Sequence, residues 1–361
     1  MIKSDPFHLK KAATGLLWCL SIIIYPELFN EYKKLVYSLM DRKRIIKILA
    51  VLVSLALVIF LLAQIQLGDV IAALSAIDPG YIILGFIIYM CSFYIQALRF
   101  RVLLRDEVTV SDLFNIVCVH TFINKLLPAR TGEVSYIYLV KKVCQRSTGD
   151  GIASLLAARI FDFLILSIFF LISIALLENV PAQISDILMV IQILLILLII
   201  TLLLVLYFDE QFLQVIYRII GRFRLDRYKK VQYLIKIADD TIQSYKVIKT
   251  RHILWKTFTT TLGTWLVMYV FYGILLYSFN IRVPLPVISL IVSVVAVLPL
   301  LPIYAIGGFG TTEVTTTAFL IAFGISSETA IVASFGVHII GLIYGAIAGL
   351  YGLWRMNWKI L

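Results

Sequence analysis

The chain has 361 residues, of which 61% are hydrophobic and 15% charged, against roughly half and a quarter in soluble domains. A mean hydropathy of +0.98 requires uncharged stretches long enough to cross a bilayer, which excludes a soluble enzyme, a disordered chain, a collagen and a disulfide scaffold. The formal charge of +11 fits either nucleic-acid binding or cytoplasmic loops beside anionic lipid, and the placement of the basic residues decides for the loops.

In chain order, residues 1–41 are a basic, interfacial extension. Its apolar run Ala12 to Tyr25 is too short for a span and ends at Pro26, and it has a signal-peptide look without an A-x-A site. Met40, just before Asp41, Arg42, Lys43 and Arg44, is an alternative start. Residues 42–357 form one polytopic membrane domain. Six segments are long and apolar enough to span: Ile45 to Gln66, Tyr81 to Leu98, Ile152 to Leu177, Ile187 to Phe208, Phe258 to Phe279 and Ala330 to Trp354. Two apolar regions are broken. Leu113 to Val140 is interrupted around Pro128 and Gly132, and Val287 to Phe323 around Pro299, Pro302 and three glycines. Between spans, residues 208–252 are a cytoplasmic basic segment. In it Phe212, Ile216, Ile219 and Phe223 recur at helical spacing among arginines, as in an amphipathic helix lying on anionic inner-leaflet lipids.

Basic clusters precede the first span and follow the second (Arg99, Arg101, Arg105), the first broken region, the fourth span and the last span. The remaining connections hold one basic residue, Arg282. The positive-inside rule then places both termini in the cytoplasm, as expected for a multi-pass protein of the cell membrane. The first broken region leaves and returns inside, the second outside. The expected fold is therefore an all-α integral membrane protein with about six spans and two re-entrant or broken hairpins, eight or more membrane segments in all, arranged as an inverted repeat. Ordinary helix pairs with proline kinks are the alternative.

Ionisable groups inside a membrane are costly, so each is a candidate for function. The first hairpin holds Lys125, Pro128, Arg130, Gly132 and Glu133. Pro128 and Gly132 break the helix, and Arg130 offers a planar fork suited to phosphate. Glu133, three residues on, is placed to pair with Arg130, either as a structural staple or as a partner displaced by ligand. Lys125 has no obvious local partner. Arg159 and Asp162 share a helix face in the third span and form either an ion pair that docks the helix or part of a ligand site. The second hairpin carries Gly307, Gly308, Gly310 and Glu313, a loop opening a helix whose free N–H groups are able to meet an anion. No Lys-Ser or Lys-Thr follows, which excludes a nucleotide P-loop. In the last span Gly341, Gly345 and Gly349 make a packing seam. His338, one turn before it, and His120 are either hydrogen-bonded structure or proton relays. Cys19, Cys91, Cys118 and Cys144 show no CxxC pairing and read as small hydrophobes. No cofactor or metal is indicated.

The stretches LPARTGE (Leu127 to Glu133), ARIFD (Ala158 to Asp162) and GGFGTTE (Gly307 to Glu313) resemble the lysylphosphatidylglycerol synthase transmembrane-region family. This is the flippase-like membrane domain of multiple peptide resistance factors, also found alone and beside polyprenyl-phosphate glycosyltransferases. The resemblance covers roughly Arg42 to Asn357. It implies a translocator of a phospholipid or lipid-linked headgroup. Two departures stand out: Ala305-Ile306 where the family often has a proline before its glycines, and His338 where it commonly has arginine. Only about seven residues follow the last span, so synthesis of an aminoacylated lipid is not expected.

The leading expectation is a lipid translocase, not an enzyme and not ATP-driven, in which both hairpin tips accept a phospholipid or polyprenyl-phosphate headgroup. Arg130, with Lys125 or Arg159, would bind phosphate, balanced by Glu133, Asp162 or Glu313. The alternatives are a membrane enzyme acting on lipid phosphates, and a membrane partner of a lipid-modifying enzyme that uses the glycine seam. Homo-oligomerisation stays open.

Overall fold

A computed structural model of the chain describes residues 77–126, 132–177, 180–207, 229–300 and 306–360. All lie within one compact unit, Val53–Leu361. The expected span Ile45 to Gln66, the extension 1–41, Pro128, Arg130 and the basic helix from Phe212 fall outside the described residues, as does the choice between Met1 and Met40.

Among the described residues there are ten α-helices and no strands: α1 Pro79–Leu103, α2 Val110–Leu126, α3 Glu133–Val143, α4 Thr148–Leu176, α5 Ala182–Tyr207, α6 Lys229–Ile248, α7 Arg251–Ser278, α8 Leu285–Val297, α9 Thr311–Ala322 and α10 Ser327–Ile360. Five contain stretches long and apolar enough to cross a membrane, in α1, α4, α5, α7 and α10. Large apolar side chains stand bare on them, including Ile83, Ile87, Leu197, Val270 and Trp354. Such a belt has no place in water and suits lipid tails. The chain is a multi-pass helical membrane protein.

Local chemistry fixes several helix ends. Asp78 accepts the Gly80 N–H at 2.7 Å to open α1, with Pro79 in the first turn. Ser147 accepts the Asp150 N–H at 2.9 Å to open α4. Both broken regions resolve into pairs of short helices, α2 with α3 and α8 with α9. The last three have 11, 13 and 12 residues, about 20 Å or less each at 1.5 Å per residue, against a hydrocarbon core of about 30 Å. None of those three crosses a bilayer alone.

The packing places each pair against a distant helix. α2 lies along α10, α8 along α4, and α1 runs against α7. α3 also packs on α4, and α9 on α10. α2 further touches the turn Ile306–Gly308 at the mouth of the second pair, so the two broken regions meet. The glycine seam of α10 is what lets α2 approach. A Cβ on Gly349 would come within 2.3 Å of Phe122, and one on Gly352 within 2.7 Å of the Asn115 carbonyl. The seam therefore packs against the protein's own α2, in agreement with its reading as a helix-packing seam.

Candidate functional site

Where the broken regions meet, a cavity of about 320 Å³ opens between α1, α2, α4, α7, α8 and α10. That volume is at the small end of ligand pockets. Its walls are largely apolar, with ionisable groups in three places.

The first is an ion-pair chain. Asp162 on α4 accepts from Arg99 on α1 at 2.6 Å, from the Trp265 indole N–H on α7 at 3.0 Å and from Arg159 at 3.2 Å. Arg159 donates through Nε to Glu133 on α3 at 2.8 Å. The side chains of Arg99 and Asp162 are 3% and 6% exposed, those of Arg159 and Glu133 each 24%. Two arginines meet two carboxylates, so the chain is neutral and ties four helices together. Glu133 meets Arg159 because α3 packs against α4, and its expected pairing with Arg130 lies outside the described residues. One expectation changes. Arg99, grouped by sequence with the cytoplasmic basic cluster, is buried. The signal for it was present: Tyr89, Phe93, Gln96 and Arg99 follow helical spacing and all line the cavity.

The second place is Lys125, near the end of α2. Its Nζ donates to the Gly341 carbonyl on α10 at 2.6 Å and lies 5.2 Å from the centre of the Tyr89 ring. A Cβ on Gly345 would sit 3.4 Å from that nitrogen and 3.5 Å from the Tyr89 hydroxyl, so both point at the space this glycine leaves. Among the described residues no carboxylate lies within ion-pairing distance of Lys125. The Tyr89 hydroxyl and the Asn124 side-chain oxygen are buried without a hydrogen-bond partner, and both residues line the cavity. Buried polar atoms are nearly always satisfied, so these two unsatisfied atoms on residues of the cavity wall stand out.

The third place is the second hairpin. Gly307, Gly308 and Gly310 have φ of 68°, 78° and 82°, the left-handed region that side chains avoid. Their turn presents the Gly307 carbonyl to His338 at 2.8 Å, and His338 meets Glu313 at 2.6 Å. Glu313 is fully buried, and its other oxygen accepts the Gly310 N–H at 2.7 Å. The N-terminus of α9 is thus occupied by the protein's own carboxylate. The expectation of N–H groups open to an external anion is corrected, at least for this donor. Gly132 closes the first hairpin: a Cβ there would come within 2.5 Å of Asn124 Cα. Its carbonyl accepts from Ser135 at 2.5 Å and lies 3.4 Å from Nδ1 of the buried His120, so His120 is part of the hairpin's bracing. Asp239 and Asp240 are exposed on α6. Among the described residues no group of His, Cys, Asp and Glu could hold a metal ion.

Residues 47–349 match the lysylphosphatidylglycerol synthase TM region as a family, most of the chain. The chain belongs to this family. The match agrees with the resemblance carried by the three motifs, and Lys125, Glu133, Arg159, Asp162, Glu313 and His338 all lie inside it. Glycosyltransferase AglD of Haloferax volcanii is 28% identical over 135 residues, which are 36% of this chain and 22% of that protein. The chain thus spans about a fifth of that relative's length. No solved structure matches.

Proposed function

We propose that this member of the family moves the headgroup of a phospholipid or polyprenyl-phosphate lipid from one leaflet to the other, passively or ion-coupled rather than with ATP, and that it performs no covalent chemistry. The lipid's tails stay in the bilayer while its phosphate enters the cavity where the hairpins meet. The observation that carries this reading is Lys125: a half-buried ammonium without a carboxylate partner among the described residues, on the wall of a largely apolar cavity that two residues with unsatisfied polar atoms also line. A cation held by one carbonyl and one aromatic face gains a charge-assisted hydrogen bond when a phosphate oxygen arrives.

The proposal extends to the architecture. α2 on α10 and α8 on α4, α3 on α4 and α9 on α10, are the pairings a two-fold operation would exchange, as expected of an inverted repeat whose irregular segments meet at the midplane. The proposal includes cytoplasmic termini, which the basic clusters support, and a cell-membrane location. A second reading, a membrane partner of a lipid-glycosylating enzyme, draws on the name of the Haloferax relative and differs in requiring no independent transport.

The test is headgroup movement in vesicles of phosphatidylcholine with a tenth of fluorescent phosphatidylglycerol, read by quenching from outside. Lys125→Met keeps the length of the side chain and removes its charge. Loss of one charge-assisted hydrogen bond, about 1.5–3 kcal/mol, predicts movement slowed by about tenfold or more. Arg130→Ala, at a position outside the described residues, is expected to slow it as well. Unchanged movement of every lipid tested, or none above protein-free vesicles in the unaltered protein, overturns the reading.

A further inference from the structure

A second opening lies where α4 packs on the first turns of α7. It is a groove of about 920 Å³, within the range of ligand pockets. Lys249, Arg251 and His252, at the turn into α7, line it together with Trp255 and Phe258 further along that helix and Phe161 on α4. The groove and the central cavity share no lining residue. Arg159 and Asp162 line the cavity, and Phe161 stands about 160° and 100° around α4 from them, so it faces away from that site.

The polar and apolar parts of the groove are ordered by depth. α7 has 28 residues and extends about 42 Å, against a hydrocarbon core of about 30 Å. Roughly four residues at each end therefore reach into the headgroup layer. The aromatic side chains set the level. Trp255 near the start and Tyr277 near the end are 66% and 39% exposed, and they are about 33 Å apart along the helix, the separation of the two interfacial belts of Trp and Tyr. Arg251 and His252, both exposed, thus stand among headgroups. Trp255 marks the border, and Phe258 and Phe161 lie at the level of the acyl chains.

The chemistry of this order selects one kind of guest. Among the described residues Arg251 and His252 have no hydrogen-bond or ion-pair partner, no carboxylate lines the groove, and the first turn of α7 has no acidic residue. Just below, Trp255 and Phe258 stack with ring centres 5.7 Å apart and planes 19° apart, an apolar slab beside a cationic rim. A soluble anion would meet the rim and leave the slab bare. A neutral apolar guest would do the reverse. A phospholipid meets both, with phosphate oxygens at the rim and a chain along the rings. A zwitterionic headgroup brings its own cation to the rim, so an anionic one fits better.

We propose that this groove holds one anionic phospholipid, with its phosphate against Arg251, His252 and Lys249 and a chain along Trp255, Phe258 and Phe161. It is a site of its own and does not rest on the headgroup reading of the cavity. Its occupant bridges α4 and α7, which the Trp265–Asp162 hydrogen bond joins on the cavity side, and so braces that wall from outside.

Trp255 is the reporter that tests this. The full chain is reconstituted in phosphatidylcholine vesicles with a rising fraction of phosphatidylglycerol whose acyl chains carry bromine, which quenches indole fluorescence on contact. A parallel series uses brominated phosphatidylcholine and reports unselective contact. The difference between the unaltered protein and Trp255→Phe is the quenching that belongs to Trp255. Half of it is expected at a markedly lower fraction of phosphatidylglycerol than of phosphatidylcholine. Arg251→Gln should raise the phosphatidylglycerol fraction needed by about fivefold, the worth of one basic side chain at an anionic lipid, and leave the phosphatidylcholine series unmoved.

Lys125→Met should leave both series unmoved even where it slows headgroup movement, and a shift there would overturn the separation of the two sites. Equal fractions for the two lipids overturn the proposal, as does a phosphatidylglycerol series that neither Arg251→Gln nor Lys249→Gln changes. A Trp255 quenched by neither lipid overturns it too, since protein then covers the groove. If Arg251→Gln does not fold, Lys249→Gln reads the same site.

Discussion

Asp162 accepts from three side chains in the cavity wall, and its oxygens divide the work. Oδ1 takes Arg99 and Trp265, and Oδ2 takes Arg159. With Arg99 removed, a buried carboxylate keeps only a half-exposed arginine and an indole. Breaking a buried pair in this way costs about 3–5 kcal/mol, so Arg99→Met should markedly lower the thermal unfolding temperature in detergent. Glu133→Gln, at the partly exposed end of the chain, should cost well under half as much, since solvent already weakens that pair. Equal losses would refute the division into an inner and an outer pair. Sequence reasoning found Arg159, Asp162 and Glu133 because each interrupts an apolar run. It misplaced Arg99 because Arg101 and Arg105 stand beside it: three arginines in seven residues look like one cytoplasmic cluster, and only the helical stripe through Tyr89, Phe93 and Gln96 separates the first from the others. The His338–Glu313 pair was out of reach for another reason. Its members are 25 residues apart on two helices, and their meeting depends on a glycine turn whose shape no local rule supplies.

The hairpins are held by contacts between backbones, where a single methyl group decides the geometry. At Gly132 the nearest atoms to an added Cβ are backbone atoms of Ile123 and Asn124 at 2.9 Å and less, which cannot rotate away. At Gly349 the obstacle begins at Phe122 Cβ, 2.3 Å away, which moves only with the backbone of α2, and at Gly341 the nearest atom is Lys125 Nζ at 3.9 Å, an ordinary contact. Alanine should therefore destabilise strongly at Gly132 and at Gly349, by about 1–3 kcal/mol as overpacked sites do, and little at Gly341. Unfolding in detergent of the three variants orders them. An equal tolerance at all three would mean that α2 does not lie against α3 and α10 as closely as this. Because α2 carries Lys125 into the cavity, Gly132→Ala should also reduce transport, whereas Gly341→Ala should leave the fold intact. At this scale the sequence was largely legible. Proline and glycine marked both broken regions. The expected spans from Tyr81 and Ala330 fall inside observed helices, those from Ile152 and Phe258 overrun theirs by one residue, and that from Ile187 follows α5 as far as it is described. The ends were not legible: α1 continues to Leu103 and α4 begins at Thr148, because polar residues at a membrane border are compatible with helix and mark no stop.

Across the whole molecule, function in two leaflets requires that the helices have a fixed sense, and α7 offers the simplest way to read it. Its 28 residues extend about 40 Å, more than the hydrocarbon core, so its ends must emerge on opposite sides. Arg251 begins it and Arg282 follows it closely, and both are exposed. The proposed orientation puts Arg251 inside and leaves Arg282 as the lone basic residue outside. With the four native cysteines replaced, Arg251→Cys and Arg282→Cys can be labelled in intact cells by a membrane-impermeant maleimide. Arg282→Cys should react at once, and Arg251→Cys only after the membrane is opened. The opposite order would invert the molecule and with it the leaflet from which the cavity first receives lipid. Reaction of both in intact cells would mean that α7 does not span, and the pairing of α1 with α7, around which the two broken regions are arranged, would then need another explanation. This outcome bears on mechanism because the proposed exchange relates α2 and α3 to α8 and α9 across that pairing. If α7 has the expected sense, the first pair rises from the inside and the second descends from the outside. Lys125 and His338 then face a lipid phosphate from the two sides it has to pass between.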